Sequence, residues 1–183
     1  MTYVPAVRKT GQGVAWRVIQ VFRTMAYRHD SEIDRKLHDI LQNEAQWRLL
    51  LRLSAFDRAH HLRVHDTLIA AGHVDADLLR AAALHDAGKA DDRGRVRLPH
   101  RVLKVFLQAT SPRLLDLTGR RDGGWLGHGL FLARHHAQLG AQLAETAGAS
   151  ERCVELIARH EENPPVDDPH VRALIQADAG AIA

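Results

Sequence analysis

The sequence predicts an all-α protein, and three observations carry that prediction. Apolar residues recur at three- and four-residue spacing through most of the 183 residues, the period of a helix with one buried face. No segment shows the strict apolar–polar alternation of a half-buried strand. Aromatic residues make up only 5%, while Ala, Leu and Arg are frequent, a composition that favours helix over sheet.

The elements follow in order. Residues 14–28 are expected as an amphipathic helix with Arg17, Gln20, Thr24 and Arg28 along its polar edge. Ser31 followed by Asp34 resembles a capping arrangement for a helix reaching Leu41. Asn43 caps a short helix through Leu53. Ser54 or Asp57 starts a helix that ends near Gly72, a C-cap glycine. Asp75 caps the next, which carries Leu78, Leu79, Ala82, Ala83 and Leu84 towards Asp86. Gly88 to Arg97 reads as a charged, mobile loop. Pro99 opens a helix through Gln108 and Pro112 another through Leu117, with a turn from Arg120 to Gly124. A helix from Trp125 to Ala147 is expected to break or kink near His135. Ser150 caps a helix to Glu161, which Asn163-Pro164-Pro165 stops. Asp168 with Pro169 opens the last helix, ending near Gly180. No repeat or linker interrupts residues 30–183, which are expected to form one helical domain behind a basic segment, 1–29.

Charge is unevenly placed. The net charge is +3, but residues 1–29 hold Arg8, Lys9, Arg17, Arg23 and Arg28 with no acid, leaving −2 for the rest. This describes a basic segment on a nearly neutral body, and stable nucleic-acid binding is not expected. The segment is expected to pack its apolar side on the domain or on a second copy of the chain as a homodimer. Lying on an anionic membrane surface is the alternative. No run of 18 apolar residues spans a membrane, and residues 14–27 lack the apolar stretch and cleavage site of a secretory signal. The single cysteine, Cys153, suits a reducing compartment and reads as a small core residue. The cytoplasm is the expected location.

The unusual feature is 13 histidines, the commonest metal-binding side chain. Six of the seven residues before His85-Asp86 are apolar, so this helix is expected to be buried, and a buried acid is costly unless paired or metal-bound. His85 and Asp86 could clasp one ion from two sides, but the ion needs ligands from other helices. His60 lies on a stripe with Val64, Leu68 and Ala71. His136 shares one with Leu132, Leu139 and Leu143. His160 ends the stripe of Val154, Ile157 and Ala158, and Asp178 follows Leu174, Ile175 and Ala177. One such histidine is ordinarily a satisfied core residue. Four histidines and two aspartates on core-facing stripes of one small domain point to a metal centre.

The stretch His60-His-Leu-Arg-Val64, followed by Ala-Ala-Leu-His85-Asp86-Ala-Gly88-Lys89, resembles the HD-domain superfamily of metal-dependent phosphohydrolases. The resemblance spans roughly residues 57–178. It implies a helical HD-domain bundle with His60, His85, Asp86 and Asp178 as ligands of a divalent metal. His136-Ala-Gln-Leu-Gly140-Ala141 and Arg159-His160-Glu161 look like segments of two-metal members, including the HD-GYP phosphodiesterases, with arginine replacing the first histidine of the second. That adds His136 and His160 and makes a two-metal centre bridged by Asp86 compatible. Asn163, Pro164 and Pro165 stand where Gly-Tyr-Pro would follow, which argues against cyclic-di-GMP hydrolysis. His61 is the competitor for the first ligand, since His61 and His65 form an i, i+4 pair; His60 is preferred because the family places its histidine four residues before the motif's valine. His61, His65, His73 and His100 are expected on the surface or behind the ligands.

The function expected from this resemblance is hydrolysis of a phosphate mono- or diester, a nucleotide by preference. One or two ions of Mn, Fe, Co, Ni or Zn suit the carboxylate and imidazole donors. Asp86 is expected to hold metal and orient water, and Lys89, Arg63 and Arg159 to contact substrate phosphate. Surface salt bridges are an equal reading for both arginines. Two alternatives share the ligand set: a two-iron HD-type oxygenase and a non-catalytic nucleotide-sensing module.

Overall fold

A computed structural model describes residues 29–163 and 166–181. The expected amphipathic helix of residues 14–28, and its packing on the domain, a second copy or a membrane, lie outside the described residues. Within them the chain is all-α: nine α-helices and one two-stranded hairpin.

Local side-chain chemistry sets most boundaries. Helix α1 (Ser31–Ile40) is capped by Asp30, whose carboxylate accepts from the Glu32 backbone N–H at 2.9 Å. The cap therefore lies one residue before the expected Ser31. Asp34 instead pairs with Arg58 at 2.7 Å, tying α1 to its neighbour. Asn43, Ser54, Asp75 and Ser150 cap α2 (Glu44–Leu51), α3 (Ala55–Ala70), α4 (Ala76–Leu84) and α8 (Glu151–Arg159), each accepting a first-turn backbone N–H. Gly72 follows α3 with φ +86°, a conformation that other residues rarely adopt. Pro99 lies in the first turn of α5 (Leu98–Thr110) and Pro112 opens α6 (Pro112–Thr118). Helix α7 (Gly124–Thr146) runs 23 residues without the expected break at His135. Nothing at that position removes a backbone donor or offers a competing acceptor, so no kink is required. Asp168 accepts from the His170 and Val171 backbone N–H groups at the start of α9 (Pro169–Ala181).

Helix α4 is the axis of the bundle. Leu78 and Ala81 to Leu84 are fully enclosed, with α1, α3, α8 and α9 packed around them. Leu37, Leu50, Leu68, Leu156, Ile157 and Leu174 complete the core. Its apolar area supplies the main driving force for the fold at about 25 cal/mol per Å² buried.

The expected mobile loop after Gly88 has defined structure. A single 3₁₀ turn (Ala87–Lys89) leads into β1 (Ala90–Asp91), which pairs antiparallel with β2 (Gly94–Arg95). Asp91 Oδ1 accepts the Arg93 and Gly94 backbone N–H groups and so closes the turn. Strands of two residues are too short to register as a period in the sequence.

One contact determines where the two histidine-bearing halves meet. Gly88 lies against α7 so closely that a Cβ there would fall 2.2 Å from the His136 carbonyl oxygen and 2.5 Å from the Gly140 nitrogen. A Cβ on Gly140 would in turn fall 3.1 Å from the Gly88 nitrogen. Glycine facing glycine allows backbone to touch backbone, which brings the segment after His85-Asp86 onto the turn of α7 that carries His136.

Candidate metal centre

Five elements deliver side chains to one buried point. His60 projects from α3, His85 and Asp86 from the end of α4, and His136 from α7. His160 follows α8, and Asp178 lies in the last turns of α9. His60, His85, Asp86, His136 and His160 are each no more than 7% exposed. The six expected ligands from distant parts of the chain are thus brought together.

Asp86 lies between the two halves. Its Oδ1 is 3.2 Å from His136 Nε2 and 3.8 Å from His160 Nε2. Its Oδ2 is 3.5 Å from His85 Nε2 and bonded by the Lys89 ammonium. Asp178 Oδ1 closes the far side, 2.8 Å from His60 Nε2 and 3.6 Å from His85 Nε2. Two triads, His60-His85-Asp86 and Asp86-His136-His160, each offer ligand atoms within 4.8 Å of one another and share Asp86.

The tautomers are fixed from behind. Nδ1 of His85, His136 and His160 lies 2.9, 3.1 and 2.7 Å from the carbonyl oxygens of Ala82, Ala133 and Ile157. A carbonyl only accepts, so each Nδ1 carries a proton, and in the neutral ring each Nε2 presents a bare lone pair to the centre. Those lone pairs face carboxylate oxygens, an acceptor-to-acceptor contact that is unfavourable unless a cation lies between. The Nε2 atoms of His85 and His160 have no hydrogen-bond partner. Buried, correctly oriented imidazoles with unpaired nitrogens beside two carboxylates fit a divalent metal, and the backbone carbonyls behind them supply the orienting bond that metal-binding histidines ordinarily have.

The electrostatics agree. Burial opposes ionisation of Asp86, but Lys89, His85 and His136 outweigh it and hold its carboxyl well below the usual range. Burial likewise opposes charge on Asp178, and the His60 bond together with the nearby His85 ring outweighs it. Burial would lower His85, yet Asp86 and Asp178 raise it above its ordinary value. Burial and His85 push His160 down to about 3. Two carboxylates held ionised among imidazoles form a site that prefers a cation.

Of the other expected site residues, Lys89 reaches the centre, touching Asp86. Arg63 is exposed, bonds the Ala181 carbonyl at 3.3 Å and lies over the Phe56 ring. Arg159 is engaged by Glu155 and Glu162 on the outer surface of α8, the salt-bridge arrangement, and does not reach the centre. His61, expected at the surface or behind the ligands, is fully buried with its ring centroid 4.7 Å from that of His85. Its Nε2 is 4.0 Å from Asp86 Oδ2, and burial with His85 drives its pKa far below normal. His100 is buried too, accepting the Arg97 backbone N–H at 2.9 Å. His65 bonds Asp66 at 3.0 Å, and His73 packs edge-on to His170.

Sequence reading missed a cationic shelf beside the centre. Arg101 and Lys104 on α5 lie one turn apart, within electrostatic reach of Asp86. Arg101 is held by buried Asp57, which also accepts from the Ser54 hydroxyl at 2.6 Å. Lys104 donates to the Ala133 carbonyl at 2.7 Å and lies 3.7 Å from Glu161. Burial and Lys89 push its pKa down despite Glu161. The i, i+3 spacing on α5 was visible, but nothing in it says that this face turns towards Asp86. A polar cavity of about 690 Å³ opens here, lined by Lys104, Gln108, Arg134, His135, Gln138 and Glu161 among others.

Fold and site together define an all-α protein with buried His/Asp groups that could hold a metal ion. Among the described residues, no helix is long and apolar enough to cross a membrane. Comparison with protein-family models, with curated proteins and with solved structures finds no match.

Proposed function

We propose that this chain is a metal-dependent phosphohydrolase acting on a phosphate mono- or diester, a nucleotide by preference, with an HD-type arrangement of His60, His85, Asp86, His136, His160 and Asp178. The observation that carries the reading is the juxtaposition of two kinds of chemistry. Bare imidazole nitrogens face two ionised aspartates, Lys89, Arg101 and Lys104 stand beside them, and Lys104 also lines an open polar cavity. The first set binds a divalent cation. The second suits an anion that approaches it.

His60, His85, Asp86 and Asp178 would hold one ion, and Asp86, His136 and His160 a second. A divalent ion so held supplies Lewis acidity, neutralising phosphoryl oxygens and lowering the pKa of water from roughly 15.7 to about 7. The chain's own residues do the rest. Lys89 keeps Asp86 ionised and fixes its orientation. The Asp57 carboxylate holds Arg101 in place, and the Ala133 carbonyl holds Lys104, so both cations are positioned before substrate arrives. Lys104, with its pKa lowered by burial, is more weakly solvated than a surface lysine and loses less on contacting phosphate.

The test is a phosphate-release screen of nucleotide mono- and diesters with added Mn²⁺ or Co²⁺. Asp86→Ala is expected to keep the far-ultraviolet spectrum and lose activity, since Lys89 can turn to solvent when its partner is removed. Hydrolysis retained in that variant, or absent from the wild type with every metal and ester, overturns the proposal. An air-dependent absorbance band with iron and no phosphate release redirects it to oxygen chemistry.

A further inference from the structure

We infer that a second ligand site, separate from the metal centre, takes a small phosphate-bearing molecule with a planar ring, a nucleotide in size. It is a concavity of about 310 Å³ between the β1–β2 hairpin and the start of α7. That volume is at the lower end of the range for small-molecule sites. It is lined by Arg93, Arg95 and Arg97 from the hairpin side and by Trp125 and His128 from α7.

Three arginines line one small hollow, a concentration of like charge that a bound anion would relieve. Among the described residues none of the three is ion-paired with a carboxylate; the acids nearby are otherwise engaged. Asp91 accepts from His128 Nε2 at 3.0 Å and from two backbone N–H groups, and Asp92 pairs with Arg52. The floor is built. His128 Nδ1 and an Arg93 guanidinium nitrogen both bond the Arg121 carbonyl, which fixes the hairpin to α7. Arginine forks favour phosphate oxygens because two parallel N–H groups match two oxygens.

The ring specificity comes from Trp125. It is 58% exposed and one side of it packs on the buried His100 ring at 4.4 Å between centroids. His100 is admitted by Gly129, where a Cβ would fall 2.4 Å from the imidazole. The indole is thus a supported platform at the rim of a cationic hollow, suited to stacking a base. One aromatic at the rim of a small concavity suits a single nucleotide better than a strand, which needs successive stacking surfaces along a groove.

The pocket is distinct from the metal centre. His128 and His136 are eight residues apart on α7, roughly 12 Å along the axis at 1.5 Å per residue. The inference therefore stands whether or not the centre hydrolyses phosphate.

Isothermal titration of the full chain with ADP, adenosine and pyrophosphate, in EDTA throughout, tests it. ADP is expected to bind wild type and to weaken about tenfold or more in both Arg95→Glu and Trp125→Ala, as loss of one charged or stacking contact predicts. Pyrophosphate is expected to weaken in Arg95→Glu alone, and adenosine to bind more weakly than ADP. Asp86→Ala is expected to leave ADP binding unchanged. Both altered side chains are exposed, so circular dichroism should match wild type. No ADP binding, equal ADP affinity in Arg95→Glu, pyrophosphate binding lost in Trp125→Ala, or ADP binding lost in Asp86→Ala each overturns the inference.

Discussion

Gly88→Ala should separate the two halves of the candidate centre without touching a ligand. The added Cβ would fall 2.2 Å from the His136 carbonyl oxygen, 2.5 Å from the Gly140 nitrogen and 3.0 Å from the His136 carbonyl carbon. All three are backbone atoms of a long helix, so no side chain can swing aside. Ordinary contact begins near 3.4 Å, so the 3₁₀ turn and α7 must part by about 1 Å. Overpacking of this kind costs about 1–3 kcal/mol, and a backbone clash belongs at the upper end. For a chain of this size, about 2–3 kcal/mol corresponds to a fall in Tm of roughly 4–12 °C.

The same displacement acts on the site. Asp86 lies two residues before Gly88 and is 3.2 Å from His136 Nε2, so an ångström of separation opens the second triad while leaving His60 and Asp178 in place. Calorimetric titration of metal-free protein with Mn²⁺ is expected to show weakened or missing binding at one site. Gly140→Ala, with a closest approach of 3.1 Å, should do the same to a smaller extent, and Gly94→Ala, with nothing within 4 Å, should leave metal affinity unchanged. If Gly88→Ala has wild-type stability and metal stoichiometry, the glycine crossing does not position the centre.

Three further outcomes follow from the same geometry. In EDTA the protein should lose stability as pH falls from about 6.5 towards 3. His160 is held down to about 3 by burial and His85, whereas the unfolded ring titrates near 6.5, so the unfolded chain binds the extra proton and stability falls by up to ~1.4 kcal/mol per pH unit. His61 acts in the same direction and His85 against it; a urea midpoint unchanged between pH 7 and 5 would refute this. His60→Ala is expected to weaken metal binding at least tenfold, while His61→Leu should keep it and stabilise the metal-free protein by removing two unpaired buried nitrogens; the reverse pattern in a metal titration makes His61 the ligand. Asp57→Ala should cost about 3 kcal/mol in urea unfolding, the low end for breaking a buried pair because Arg101 is partly exposed; a loss below about 1 kcal/mol means that Arg101 is not held by this carboxylate.

What could be read from the chain was what is local. Asn43, Ser54, Asp75 and Ser150 act on backbone groups two or three residues away, so each cap was visible in a short stretch. His85-Asp86 was legible for a different reason: an acid after an almost wholly apolar helix needs a partner, whatever the fold. The hairpin was not legible because its four strand residues are fewer than one period can define. His61 was not, because Asp57 to Leu62 are all buried, and a helix enclosed on every side carries no polar stripe to say which residue faces which neighbour. Arg101 was not, because its partner Asp57 lies 44 residues away. The ligand set itself lies between these extremes. The sequence holds six suitable side chains, but spacing along the chain says nothing of spacing in space. Gly88 and Gly140 supply that missing term: each sits a few residues from a candidate ligand, and only two residues without Cβ atoms allow their backbones to meet. The glycines beside the histidines, more than the histidines themselves, are what make one site out of two motifs.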